Sequence, residues 1–226
     1  MIALAPADVK SVQEYQRAVP FPHCVLHDLF PAECLRMMVE EFPSPACAGW
    51  KRFKTDHDVK LATDGYANLP SCAEKFVSMM HCGSVVDKLE KLTGISGLVG
   101  DPHIFGGGLH CIERGGFLKV HADFTTHPHL KLARRLNLIV YLNEGWQEEW
   151  GGHLELWSEK TCVRKIAPLF NRTVIFSTSD TSYHGHPHPL LCPEGVTRKS
   201  LALYYYSKNR GQPIEEIPSV KWHGEH

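Results

Sequence analysis

A chain of 226 residues holds one sizeable domain and is short for two, and with 43% hydrophobic and 10% aromatic residues it can fill a core. A formal net charge of −1 leaves neither nucleic acid nor an anionic membrane surface as a bulk partner. No run is long and apolar enough to cross a bilayer, and residues 1–10 lack the charged start and apolar stretch of a signal peptide, so the expectation is a cytoplasmic protein without membrane contact.

In chain order, residues 20–31 read as a short strand. Pro31 then stands at a first helical position, and Leu35, Met38, Val39 and Phe42 recur at helical spacing until Pro43-Ser44-Pro45 ends the segment. Residues 46–70 are polar and read as irregular, with a basic patch at Lys51 to Lys54. Ser71, with Glu74 three positions on, predicts a capping box at the start of a second helix. Helical spacing resumes from Val85 to Leu92, and Gly94 can stop it. After residue 100 the texture changes to short β-type runs: 109–112, 117–120, 136–142, 153–157, 172–176 and 200–206, most with Gly, Pro, Asn or Asp close by. The expected fold class is therefore mainly β with flanking helices (α+β), a double-sheet barrel or jelly roll. A single domain over 1–226 is expected, with a helical support region at 1–95 and a jelly-roll core at 96–210. Eight cysteines include no C-x-x-C pair and read as reduced thiols, mostly small core residues.

The chemistry concentrates in three residues. His121 and Asp123 are i and i+2 in an extended run, so both side chains face one way. His184 follows another apolar run, 173–176, after a turn-rich stretch. Two imidazoles and one carboxylate occupy one face of an octahedral metal and leave the other face open, which suits non-haem Fe(II) and oxygen. The same three also serve catalytic zinc, and His-x-Asp alone is a loose pattern that a surface histidine and a loop aspartate satisfy equally. Of the fifteen histidines, His127, His129, His186, His188, His223 and His226 are Pro-flanked or terminal and read as exposed loop residues.

Arg198 opens the last long apolar run, where an unpaired guanidinium is costly. A dicarboxylic acid would meet it in a bidentate pair, with Ser200 adding a hydroxyl. Asn137 and Tyr141 share a face of an otherwise apolar run, which predicts a cavity with something polar in it, and Tyr141 can reach the same carboxylate. His110 is a candidate for the other end of that ligand. Lys131, Arg134 and Arg135, with Lys51 to Lys54, read either as solvated surface charge or as an attraction for an acidic substrate. Trp146, Trp150 and Trp157 read as packing or as one apolar wall of a site.

Taken together, Gly115-Gly-Phe-Leu-Lys-Val-His-Ala-Asp123, Asn137-Leu-Ile-Val-Tyr-Leu-Asn143, Gly151-Gly-His-Leu-Glu-Leu156, Val174-Ile-Phe176, His184-Gly185 and Arg198-Lys-Ser200 stand in an order that resembles the Fe(II)- and 2-oxoglutarate-dependent dioxygenases of the prolyl-hydroxylase type, over residues 95 to 207. The resemblance implies a double-stranded β-helix. It implies Fe(II) on His121, Asp123 and His184, and the distal carboxylate of 2-oxoglutarate on Arg198 with Tyr141 assisting. It also implies O2 and a small-molecule or peptidyl substrate as partners, with ascorbate a candidate reductant. Asp123 is retained where halogenating relatives carry a small residue, which favours hydroxylation, although desaturation and ring closure share the same ligands. Two departures stand out. His110 or Cys111 replaces a tyrosine that many prolyl hydroxylases carry ahead of the Gly-rich loop, and the stretch from His184 to Arg198 is longer than in the shortest members, which leaves His186 as an alternative ligand. Two other classes stay open: a non-catalytic jelly-roll module of cupin or lectin type, and a zinc hydrolase.

Overall fold

The computed structural model describes residues 9–63, 65–208 and 220–224; the first residues of the chain, read above for a signal peptide, and His226 lie outside them. The elements run α1 (Val9–Arg17), β1 (His23–His27), α2 (Ala32–Glu40), β2 (Trp50–Lys54), β3 (Asp58–Thr63), α3 (Ser71–Met80), α4 (Gly83–Thr93), β4 (Val99–Gly100), β5 (Gly108–Ile112), β6 (Phe117–Ala122), β7 (Ala133–Tyr141), β8 (Leu154–Trp157), β9 (Cys162–Ile166), β10 (Arg172–Ser177), β11 (His184–His186), β12 (Arg198–Ser207) and β13 (Lys221–Trp222). Among the described residues no helix is long and apolar enough to cross a membrane.

One curled antiparallel sheet forms the body, in the order β1-β10-β7-β12-β5-β3-β6-β11-β8-β9, with β13 on β6, β2 on β3 and β4 on β12. This is the expected jelly roll. Its long central strands alternate in a decisive way. On β12 and β7, Leu201, Leu203, Tyr205, Leu136, Leu138 and Val140 face one way and pack with Leu35, Met38, Phe76, Val77, Met80 and Leu89 of the helices. Fully burying each such aliphatic side chain contributes roughly 1.5–3 kcal/mol, so this layer fixes the helices to the outside of the sheet. The intervening residues Ser200, Ala202, Asn137, Ile139 and Tyr141 then face the inside of the curl, where they line a cavity.

The helices begin and end much as their sequences predict, with one correction. Gly94 caps α4 in the left-handed region (φ 74°), its N–H on the Glu90 carbonyl. Ser71, by contrast, is the first residue of α3 and makes no capping bond; Pro70 precedes the helix. Glu41, at the end of α2, does the work instead, its carboxylate accepting the Cys72 N–H at 2.8 Å. Residues 46–70 are not irregular: Trp50 to Thr63 fold into the β2–β3 hairpin, and the turn is closed by Thr55, whose hydroxyl donates to Asp58 Oδ1 at 2.7 Å. Strands β1 and β3 join the main sheet, so the N-terminal region supplies strands as well as helices. All eight cysteines are free thiols, but Cys111 and Cys192 alone are buried and Cys34, Cys47 and Cys82 are exposed, which corrects the expectation of mostly core residues.

Candidate active site

β6 delivers His121 near its end, and β11 pairs with it so that His184 lies directly opposite His121. Their ring centres are 4.6 Å apart. Asp123, just past β6, reaches both: His121 Nε2 stands 3.5 Å from its Oδ1 and His184 Nε2 3.5 Å from its Oδ2. One donor atom from each of the three lies within 4.8 Å of the others, and all three are held inside the barrel. Each imidazole has its other nitrogen engaged. Nδ1–H of His121 donates to the Lys119 carbonyl and Nδ1–H of His184 to the Ser182 carbonyl, both at 2.9 Å. That fixes the tautomers and leaves both Nε2 lone pairs facing Asp123. Burial pushes the His184 pKa down to about 4, so it is neutral at pH 7, as a ligand nitrogen must be.

Asp123 is held in place from β7. Asn137 donates to its Oδ2 at 2.7 Å, the Arg134 guanidinium pairs with the same oxygen at 3.0 Å, and Arg134 Nε–H donates to Asn137 Oδ1 at 2.9 Å. Burial alone would raise the Asp123 pKa; the Arg134 charge, then His184 and His121, outweigh it and hold the carboxyl well below its usual range. Arg134 also lies flat on Tyr204, its guanidinium carbon 3.5 Å from the ring centre. The reading of Arg134 as solvated surface charge is therefore wrong, and a bulge explains why. Tyr205 pairs with Leu136 and Tyr206 with Arg134, so Arg135 is the extra residue and the alternation shifts by one. Arg134 thereby turns to the same interior face as Asn137. Arg135 stays at the edge, donating to Ser207 Oγ at 3.1 Å.

From this cluster a cavity of about 560 Å³ runs inward, and all eight residues named from the sequence line it: His110, His121, Asp123, Asn137, Tyr141, His184, Arg198 and Ser200. Register makes the inner wall. Ser200 pairs with His110 on one side and Tyr141 on the other, and Arg198 lies two residues along. Arg198 is buried, with Nε–H on the Gly152 carbonyl at 2.7 Å and a terminal nitrogen donating to the Tyr141 hydroxyl at 3.3 Å. Among the described residues no carboxylate pairs with it. Gly152 is required here: at φ 72° a Cβ would sit 3.0 Å from Arg198 Cδ and 2.6 Å from Leu190. His110 is pushed down to about 3 by burial and then by Lys60, and its Nε2 has no partner. At the mouth, Phe105, Phe124, Tyr204 and Trp222 give aromatic walls. Trp222 arrives on β13 opposite His121, ring centres 5.3 Å apart, from a two-residue strand with no sequence signal.

Some of the histidines depart from their expected exposure. His186 is buried and lines the cavity, yet it is not part of the three-residue donor group. His127 is fully buried as well: Nε2 meets Asp101 at 3.0 Å, while Nδ1 accepts the N–H groups of His129 and Leu130 in the turn that Pro128 shapes. His129 and His188 are exposed as expected, and His223 is half-buried against Trp157 and Tyr183. Lys51 reaches the cavity rim, and Lys60 is half-buried beside Asp58 at 3.4 Å. Trp146 and Trp150 pack on each other, and Trp157 donates to Glu155; none of the three lines the cavity.

Residues 107–206 match the family model described as 2OG-Fe(II) oxygenase superfamily. The matched segment is under half of the chain and carries His121, Asp123, His184 and Arg198. Mouse prolyl 3-hydroxylase OGFOD1 is 29% identical over 86 residues, which are 35% of this chain and only 15% of that protein. Among solved structures, a Pseudomonas putida prolyl-4-hydroxylase superposes with a TM-score of 0.61 at 16% identity, covering 88% of this chain and 98% of its own. A Trichoplax adhaerens prolyl hydroxylase, solved with a hypoxia inducible factor peptide fragment, gives 0.62 at 16%, covering 87% of each. HygX from Streptomyces hygroscopicus, solved with nickel, 2-oxoglutarate and hygromycin B, gives 0.58 at 11%, covering 89% of this chain and 88% of its own. At these identities the superpositions establish a shared jelly-roll fold and no more.

Proposed function

We propose that this chain is an Fe(II)- and 2-oxoglutarate-dependent hydroxylase. It acts on an aliphatic C–H bond of a prolyl, amino-acid-like or small-metabolite substrate and releases succinate and CO2. One observation carries the proposal: a single cavity joins three convergent donors with bare Nε2 atoms to a buried guanidinium that lacks a carboxylate. The first end fits Fe(II), since two imidazole nitrogens and a carboxylate leave half the coordination sphere open. The second fits the distal carboxylate of 2-oxoglutarate, and a zinc hydrolase has no use for it.

Bound there, Fe(II) would supply the activation of O2, one oxygen atom going to succinate as 2-oxoglutarate loses CO2 and the other to the substrate C–H bond. The chain's own residues do the rest. His121, Asp123 and His184 hold the metal, and Arg134 with Asn137 keeps Asp123 ionised and pointed at it. Arg198, Tyr141 and Ser200 receive the distal carboxylate and so fix which way the co-substrate lies. Ile112, Ile139 and Leu154 give the inner cavity dry walls, and the aromatic mouth favours an apolar ring or chain over a charged group. The peptide bound to the Trichoplax neighbour supports a peptidyl substrate for that mouth, and the antibiotic bound to HygX supports a small one.

Anaerobic protein given Fe(II) and 2-oxoglutarate should develop a weak visible charge-transfer band, and in air it should form succinate. His121→Ala should abolish the band. Arg198→Ala should retain metal but lose the band at the 2-oxoglutarate concentration that saturates wild type. Turnover that needs zinc and no oxygen, or an Arg198→Ala dissociation constant equal to wild type, sinks the reading.

A further inference from the structure

His186 is an interior residue that this function does not yet use. It lies two positions beyond His184 on β11, so the two imidazoles share a face, about 7 Å apart along the strand. The backbone beside it is closely packed. Gly185 between them sits so close to β6 that a Cβ would stand 2.7 Å from the Lys119 carbonyl oxygen and 2.8 Å from that of Leu118. His186 is only 4% exposed, and neither ring nitrogen has a hydrogen-bond partner. An imidazole always carries at least one N–H donor, so this ring has a donor with nothing to receive it. A buried imidazole with both nitrogens idle is unfavourable, and a leucine there would avoid the penalty. Its polar surroundings are those of an anion site. Arg198 and Lys60 lie within electrostatic reach, as do His110 and His121, and all four line the same cavity. His110 cannot supply the missing partner to an anion, because its free Nε2 offers a lone pair once its other nitrogen donates to the Gly106 carbonyl.

Building on the proposed use of 2-oxoglutarate, we infer that His186 is a further binding residue for that co-substrate. Its N–H donates to a carboxylate oxygen of the dicarboxylate anchored at Arg198, and it thereby selects a ligand that carries an oxygen anion at that depth. It stands outside the three-residue donor group, so it binds the co-substrate and not the metal.

The test measures 2-oxoglutarate affinity by anaerobic calorimetric titration of Co(II)-loaded protein, Co(II) affinity by titration of the metal-free form, and thermal unfolding of the metal-free form. His186→Leu should weaken 2-oxoglutarate about tenfold or more. It should leave Co(II) affinity within about twofold and leave the unfolding temperature equal or higher. His186→Phe, which keeps a flat ring without nitrogens, gives the same reading should the leucine variant not fold, and His186→Gln, which keeps a donor, should recover part of the loss. Wild-type affinity for 2-oxoglutarate in the folded leucine or phenylalanine variant overturns the assignment, with a buried water as the ring's partner. Loss of Co(II) binding in the same variants also overturns it, since the ring would then act through His184. Failure of the wild-type protein to bind 2-oxoglutarate removes the functional reading and this inference together. Weakening by Arg198→Ala without weakening at His186 removes this inference alone.

Discussion

Asp123 receives two interactions on one oxygen, a hydrogen bond from Asn137 and the charge of Arg134, which leaves Oδ1 toward His121. Such outer partners orient a ligand and set its basicity. Asn137→Leu keeps the volume, removes the donor and leaves Arg134 as the sole restraint. Co(II) affinity of the metal-free protein should fall about 10- to 100-fold, with the unfolding midpoint little changed. Unaltered affinity would mean that Arg134 alone orients the carboxylate. His121, Asp123, His184, Arg198 and Tyr141 were legible because each is polar in an apolar run and the runs follow a recognisable order. Arg134 was not, because the bulge at Arg135 exchanges the faces of two adjacent arginines, and a period-2 reading assigns them wrongly. His127 and His186 were misread for a related reason. Proline beside a histidine marks a turn, but it does not say whether the turn folds over the ring.

β11 is only three residues long, yet it carries two of the cavity's histidines and pairs with both β6 and β8, with a register shift against β6 between His184 and His186. Nothing in three residues identifies a strand, so it was invisible in the sequence although His184 was not. The β2–β3 hairpin was missed for a different reason: Lys51, Arg52 and Lys54 of β2 are exposed, so that strand shows no apolar alternation. The helices were legible, since their apolar residues repeat at the helical period against an apolar sheet. The shortness of β11 makes its close contact with β6 decisive. Gly185→Ala would drive a methyl group into two backbone carbonyls that have no side-chain freedom to give way. The variant should lose about 1–3 kcal/mol of stability in denaturant titration. It should also bind Co(II) much more weakly, because His184 shifts away from His121. A variant that unfolds earlier but keeps full metal affinity would show that β11 can slide without disturbing the donors.

At the scale of the whole molecule, the curled sheet encloses an interior unusually rich in imidazole, and the charge state of that interior depends on pH. His23 and His127 are buried outside the cavity and His110 lines it, and each has its pKa lowered, with burial the leading cause; His110 is lowered to about 3. In the unfolded chain each titrates near 6.5. A histidine whose folded value lies below its unfolded one contributes stability that is fully present above about 6.5, because unfolding then takes up no proton. That stability is lost as pH falls toward the folded value, because the unfolded chain binds a proton that the folded chain refuses. Each such ring adds a slope approaching about 1.4 kcal/mol per pH unit below 6.5. The metal-free protein should therefore show a urea midpoint that is flat from pH 8 to 7 and falls steeply from 6.5 to 5, well above the range where carboxylates titrate. Replacing His127 by Asn should flatten part of that fall while lowering the midpoint at pH 8, since the Asp101 contact is weakened at all pH values. A midpoint independent of pH between 7 and 5 would mean that these rings reach water through openings of the barrel and are not held neutral by burial.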